Sequence, residues 1–253
     1  MAIILLRIDV DNAYVAYERN KLKRFFKLVL NYLNENYWVP HLKILGYNEC
    51  FYKFMDLILE LGINASIFFK TITLPNDENT VKTLIDKNYD LGLHLLSATT
   101  YDEFIKELNV VEKVLRTKVV GFSKHGGGRR KLSRKHAWEY KVNEYLRWGI
   151  KAGLLYFSGN VPSITTKIIK ISGTSEFFYL PTAFYIEPWL RRPGDKLDDV
   201  LANEGCSVVV VHPSNFCTHD IVRKEFNRLL DKADIITSIK DYLLRINGEI
   251  DSC

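Results

Sequence analysis

Five side chains of the kinds that chemistry uses stand at the ends of apolar segments. Asp9 and Asp11 follow the run Ile3 to Ile8, and His94 lies near the close of Asp90 to Leu95. His125 sits in Lys124-His125-Gly126-Gly127-Gly128 after Lys118 to Phe122, and His212 follows Ser207 to Val211. Three of the six histidines therefore share strand ends with two carboxylates. Carboxylate and imidazole donors suit zinc or a similar divalent ion, and such a set leaves one Asp and one His for proton transfer. Taken singly, each residue has a structural alternative. Asp11 could cap a helix starting near Asn12, His94 and His212 could be hydrogen-bonded core rings, and the glycine turn could be plain loop. Their joint placement favours a site.

The elements that must position them follow from periodicity. After Ile3 to Ile8 a helical pattern runs through Phe25, Phe26, Leu28, Val29 and Leu33. A helix is expected over Asn48 to Leu61, with Phe51, Phe54, Met55, Ile58 and Leu59 on one face and Gly62 as the stop. Next come the strand Asn64 to Phe69, a helix around Asn79 to Lys87, the strand Asp90 to Leu95, and a helix opened by the capping pair Thr100 and Glu103. The alternation continues with strand Lys118 to Phe122, helix Trp138 to Lys151 and strand Leu154 to Phe157. Two β-rich stretches, Thr166 to Ile171 and Glu176 to Leu180, interrupt it. Strand Ser207 to Val211, helix Ile221 to Leu230, strand Ile235 to Thr237 and a helix begun by Ser238 complete the chain. Repeated strand and helix units without a linker point to one α/β domain over residues 1–253 with a mostly parallel sheet, either doubly wound or a barrel. Both architectures gather functional groups at the carboxyl ends of strands, where these five residues lie.

Composition narrows the class. The chain has 253 residues, 47% of them hydrophobic and 26% charged, which excludes disordered and collagen-like classes. Cys50, Cys206, Cys217 and Cys253 show no CxxC spacing, so reduced thiols are expected. No apolar run reaches the roughly 18 residues of a membrane span, and Ala2 to Leu6 runs into Arg7 and Asp9, unlike a signal peptide. A cytoplasmic protein is the expectation. The net charge of +5 is concentrated: Lys124, Arg129, Arg130, Lys131, Arg134 and Lys135 fall in one stretch without an acid. That stretch lacks interleaved aromatics until Trp138, so a nucleic-acid partner is not expected. Steering of an anionic substrate is the functional reading and a solvated loop the bland one.

The ordered motifs resemble the polysaccharide deacetylases, the NodB-homology or carbohydrate esterase 4 group. Arg7-Ile8-Asp9-Val10-Asp11-Asn12 resembles the family's opening strand with two aspartates. Ala65-Ser66-Ile67-Phe68-Phe69 resembles its ATFF strand, and Asp90-Leu91-Gly92-Leu93-His94 the strand carrying the first metal histidine. Gly121-Phe122-Ser123-Lys124-His125-Gly126-Gly127 occupies the place of a G-F-R-x-P-x-G motif. Trp148-Gly149 to Tyr156-Phe157-Ser158 and Val210-Val211-His212-Pro213 resemble the later motifs. The resemblance implies a deformed (β/α) barrel of seven mostly parallel strands and metal-assisted removal of an N-acetyl or similar acyl group from a carbohydrate. By position it makes Asp9 the general base, Asp11 and His94 ligands of a divalent ion, most simply zinc, and His212 the general acid.

Two departures stand out. Ala98 occupies the place of the family's second metal histidine, and Ser123 replaces the arginine that braces the catalytic aspartate. The expectation is that His125 supplies the missing imidazole, giving the triad Asp11, His94 and His125. Substrate contacts are expected from Lys124, Arg129 and Arg130, and from Trp189 stacking on a sugar ring, against a packing role for that Trp. The alternative functions are a catalytically inactive sugar-binding protein and a haloacid-dehalogenase-type phosphatase. The latter draws on Asp9-x-Asp11 with Gly194-Asp195 and Asp199, but Arg191-Arg192-Pro193 stands where it needs an apolar strand.

Overall fold

A computed structural model describes residues 1–15, 20–36, 41–126, 141–160, 168–171 and 176–250, the side chains of 35, 36 and 248–250 excepted. Among the described residues ten strands follow in chain order: β1 (Ala2–Val10), β2 (Ser66–Phe69), β3 (Asp90–Leu95), β4 (Gly121–Lys124), β5 (Tyr156–Gly159), β6 (Ile169–Ile171), β7 (Phe177–Pro181), β8 (Phe184–Tyr185), β9 (Gly205–Val211) and β10 (Ile235–Thr237). The helices are α1 (Lys21–Asn36), α2 (Glu49–Glu60), α3 (Glu78–Asp86), α4 (Tyr101–Leu115), α5 (Val142–Lys151), α6 (Leu197–Leu201), α7 (Pro213–Thr218), α8 (Asp220–Lys232) and α9 (Ile239–Ile250).

The strands join into one sheet ordered β6-β7-β5-β4-β3-β2-β1-β9-β8, with β10 added beside β1. Every pairing is parallel except that of β6 with β7. The sheet curls into a half-barrel wrapped by helices, with the run β7-β5-β4-β3-β2-β1-β9 as its seven main strands. Among the described residues its edges, β6 and β8, do not pair. This is the expected mostly parallel deformed barrel.

Alternation along β1 creates two layers. Ile4, Leu6, Ile8 and Val10 join the core between sheet and helices, whereas Leu5 joins an inner cluster with Phe68, Tyr156, Val208 and Val210. The period of two therefore puts Arg7 and Asp9 on the inner face with Leu5. Ile239 and Leu243 of α9 enter that inner cluster, and Ser66, Asp90 and Tyr156 at the starts of their strands gather beside the start of α9. The last helix thus closes the amino end of the barrel and leaves the carboxyl end for function. Gly121 is a point of close approach, since a Cβ there would lie 2.0 Å from Cζ of Tyr156.

Most expected elements are present with shifted ends. The strand expected over Lys118 to Phe122 begins at Gly121 and runs through Lys124. The helix expected from Trp138 is described from Val142, residues 127–140 lying outside the described set, as do residues 166 and 167 of the first β-rich stretch. Thr100 caps α4 by accepting from the Glu103 amide. The Glu103 carboxylate returns to the amide of Thr99, one residue earlier than a standard box requires. The first helix holds a surprise: Phe25, Phe26, Leu28 and Val29, the source of its apolar period, are exposed.

Candidate metal centre and acid–base groups

The carboxyl ends of β1, β3, β4 and β9 bring together Asp9, Asp11, His94, His125 and His212. His94 sits in register with Ser123 on the neighbouring strand, and the His125 amide continues that pairing to the Leu95 carbonyl. Oδ1 of Asp11 lies 3.1 Å from Nε2 of His94 and 2.8 Å from Nδ1 of His125, and the two ring nitrogens are 3.1 Å apart. One ligand atom from each of the three falls within 4.8 Å of the others.

The donor set fits a divalent ion on three counts. Oδ1 of Asp11 is buried with no well-directed hydrogen bond despite those short distances, an arrangement that a cation would satisfy. The Ser123 hydroxyl bonds Nδ1 of His94 at 2.6 Å, orienting the ring with Nε2 toward Asp11. Burial pushes the His94 ring below the ordinary imidazole value and pulls His125 down to about 3 against the opposing effect of Asp11. Both rings are therefore neutral near pH 7 and carry the lone pairs that coordination needs. Asp11 itself is held well below the carboxylate range: burial would raise it, but His125 and the buried Lys70 ammonium overcome that.

The position of the absent family histidine is used differently. Ala98 is buried, and the Glu107 carboxylate of α4 binds the amides of Leu96, Ser97 and Ala98 at 2.8, 2.8 and 2.9 Å. A helix side chain fixes this loop, while His125 brings its imidazole in from β4.

Arg7 braces Asp9. Its Nε donates to Oδ1 at 2.8 Å and its Nη2 to Oδ2 at 2.7 Å, a two-pronged pair with both side chains buried. The guanidinium is in turn held by the carbonyl of Ser158, 3.1 Å away, by the hydroxyls of Ser158 and Thr182, and by Asn160 Oδ1 at 2.9 Å. Burial would raise the Asp9 carboxyl, but Arg7 first and His94 second carry it below its usual value. Asp9 Oδ2 stands 3.8 Å from Nε2 of His94.

On the other side stands His212. Glu187, fully buried after β8, accepts from the His212 amide at 2.8 Å and pairs with its Nδ1 at 2.9 Å. Nε2 then faces Asp11, 3.4 Å from Oδ2. Burial acts to lower the ring's proton affinity, but Glu187 and then Asp11 outweigh it and raise His212 to about 9. The Tyr185 ring lies nearly parallel to His212, with centroids 6.5 Å apart.

Neither Arg7 nor Glu187 is singled out by the sequence pattern. An arginine two residues before an aspartate on one strand shares its face, which is a usable signal; Glu187 lies 25 residues from its partner and offers none.

The substrate-contact expectations divide. Lys124 is a correction: its side chain is buried rather than presented to solvent, its Nζ donating to the carbonyl of His125 at 2.6 Å, and burial pulls its ammonium down to about 8. Arg129 and Arg130 lie outside the described residues. Trp189 is 51% exposed on a short turn after Glu187 and meets His219 edge-on, so part of its ring faces solvent. The later acids of the phosphatase alternative stand apart from Asp9 and Asp11, Asp195 on Arg192 and Asp199 exposed on α6.

No protein-family model matches the chain, and no curated protein matches it. Solved structures do. A protein assigned as a polysaccharide deacetylase from Mycobacterium smegmatis superimposes with a TM-score of 0.61 at 12% identity, over 98% of this chain and 90% of that one. The PuuE allantoinase gives 0.58 at 8% identity, over 94% and 88%. A carbohydrate esterase 4 pseudoenzyme from Bacillus anthracis gives 0.50 at 12% identity, over 95% and 64%. At these identities the likeness is one of fold, and the fold is the NodB-like deformed barrel that the motifs resemble.

Proposed function

We propose that the chain is a metal-dependent hydrolase that removes an N-acetyl or similar acyl group from a carbohydrate, with zinc the fitting ion. The observation that carries this reading is the convergence of Asp11, His94 and His125 between an arginine-braced Asp9 and a Glu187-paired His212. Asp11, His94 and His125 would hold the ion, which when bound supplies Lewis acidity toward water and an acyl carbonyl.

The chain's own groups divide the proton work. Asp9 is ionised and fixed by Arg7, so it is placed to accept a proton from an attacking water without leaving its position. His212, with a proton affinity of about 9, carries a proton at neutral pH and directs Nε2 toward Asp11, where it can protonate a departing amine. Glu187 accepts from Nδ1 and fixes the orientation of that ring. Trp189 offers a flat apolar face for a sugar, and Arg129 with Arg130 would suit an acidic group on it.

The test is acetate release from a panel of N-acetylated sugars by metal-stripped and zinc-reconstituted protein. Activity that requires zinc and disappears in Asp9→Asn and His212→Ala supports the proposal. Sugar binding without acyl release, unchanged in Asp9→Asn, would replace it with a non-catalytic binding role.

A further inference from the structure

Helix α1 is mounted with its polar stripe inward. Lys27, Asn31 and Asn34, at i, i+4 and i+7, face the body of the protein: Lys27 lies 3.7 Å from Glu49, Asn31 donates to Asn12 at 3.1 Å, and Asn34 donates to the Ile72 carbonyl at 2.9 Å. Of its apolar residues Leu30 packs inward, against Ala13, Tyr14 and Tyr47. The opposite face carries Leu22, Phe25, Phe26, Leu28, Val29 and Tyr32, all exposed, with Phe25 at 60% and Phe26 at 54%. The short turn Lys43–Leu45, which reaches α1 where Gly46 meets Lys27, exposes Ile44 at 92%.

Charge identifies the occupant. Lys21, Lys23 and Arg24 are exposed in the first turn, and no acid occurs between residues 21 and 34. Cations at a helix N-terminus oppose the helix dipole, so their placement costs stability unless an anionic surface meets them. An identical helix docking in parallel would bring the same cations together.

We propose that α1 is an interfacial anchor that lays its Phe25–Phe26 face into an anionic lipid surface, with Lys21, Lys23 and Arg24 among the headgroups. Through the Asn31–Asn12 hydrogen bond the anchor joins the segment directly after Asp11, so docking holds the carboxyl end of the barrel beside the membrane. The proposal does not depend on which bond the site cleaves.

The test is co-sedimentation of the full chain with phosphatidylcholine vesicles, with and without phosphatidylglycerol, beside sedimentation velocity of the protein alone. Binding to the anionic vesicles and little to the neutral ones is expected. Phe25→Ser/Phe26→Ser should weaken it by more than about tenfold per ring removed. Lys21→Glu/Lys23→Glu/Arg24→Glu should weaken it by at least about a hundredfold at low salt. Far-UV circular dichroism and zinc content should stay unchanged in both variants. Absence of binding to anionic vesicles overturns the proposal. So does self-association that Phe25→Ser/Phe26→Ser abolishes while vesicle binding is absent, which would assign the face to a second copy.

Discussion

Replacing Glu187 by Gln isolates the charge that sets His212. The substitution keeps a carbonyl oxygen to accept the His212 amide and Nδ1 but removes the negative charge 2.9 Å from the ring. Burial alone would hold the imidazolium below its ordinary value of about 6.5, and Glu187 is the largest of the charges that lift it to about 9. The difference corresponds to about 3 kcal/mol favouring the protonated ring, so losing its main source should bring the titration clearly below 9, with Asp11 and Asp9 still opposing burial. The sign for stability follows. A histidine raised on folding contributes in full below about 6.5, and that contribution is lost as pH rises through about 9. Metal-stripped wild-type protein should lose up to about 3 kcal/mol across that window, and Glu187→Gln much less. Imidazole nitrogen NMR titration measures the ring directly, and urea unfolding against pH measures the linkage. A variant ring still titrating near 9 would refute the role given to Glu187.

Other substitutions probe the supports. Arg7→Met leaves the Asp9 carboxylate buried without its two-pronged partner and should cost about 3–5 kcal/mol in urea unfolding; a loss under about 1 kcal/mol would show the brace to be dispensable. Asp90, buried with Oδ1 unbonded and Oδ2 accepting from Ser66, Tyr156 and the Lys240 amide, is raised by its burial despite those bonds. A carboxyl raised on folding contributes stability at acid pH that is lost as pH rises through its folded value. Asp90→Asn should therefore flatten the acid-to-neutral slope of stability, and an unchanged slope would assign it elsewhere. Gly121→Ala would force a Cβ onto the Tyr156 ring and should cost about 1–3 kcal/mol or more in thermal unfolding, with no loss meaning that the ring moves aside freely.

The strand ends were legible because an apolar run that stops at a polar residue marks both the strand and the residue it delivers. Asp9, Asp11, His94, His125 and His212 all follow that rule, and the structure brings all five to one end of the barrel. What sequence could not show is pairing across distance. Glu187 reaches His212 only because β8 lies beside β9, and Glu107 reaches the loop at Ala98 only because α4 packs back on β3. Lys124 is not a surface cation for the same reason that His125 lies against Asp11 and His94: both belong to a strand end turned into the molecule, which local charge density does not reveal. The apolar period of α1 correctly marked a helix, but periodicity names a face without saying what covers it, and here the protein's own body meets the polar side.

The proposed chemistry rests on Asp11, His94 and His125 holding one ion. Crystals grown with zinc and measured on both sides of its absorption edge test it most directly. An anomalous peak is expected about 2.0–2.2 Å from Asp11 Oδ1, His94 Nε2 and His125 Nδ1, and it should be lost in His125→Ala. A site without zinc under those conditions, or full zinc occupancy in His125→Ala, would contradict it.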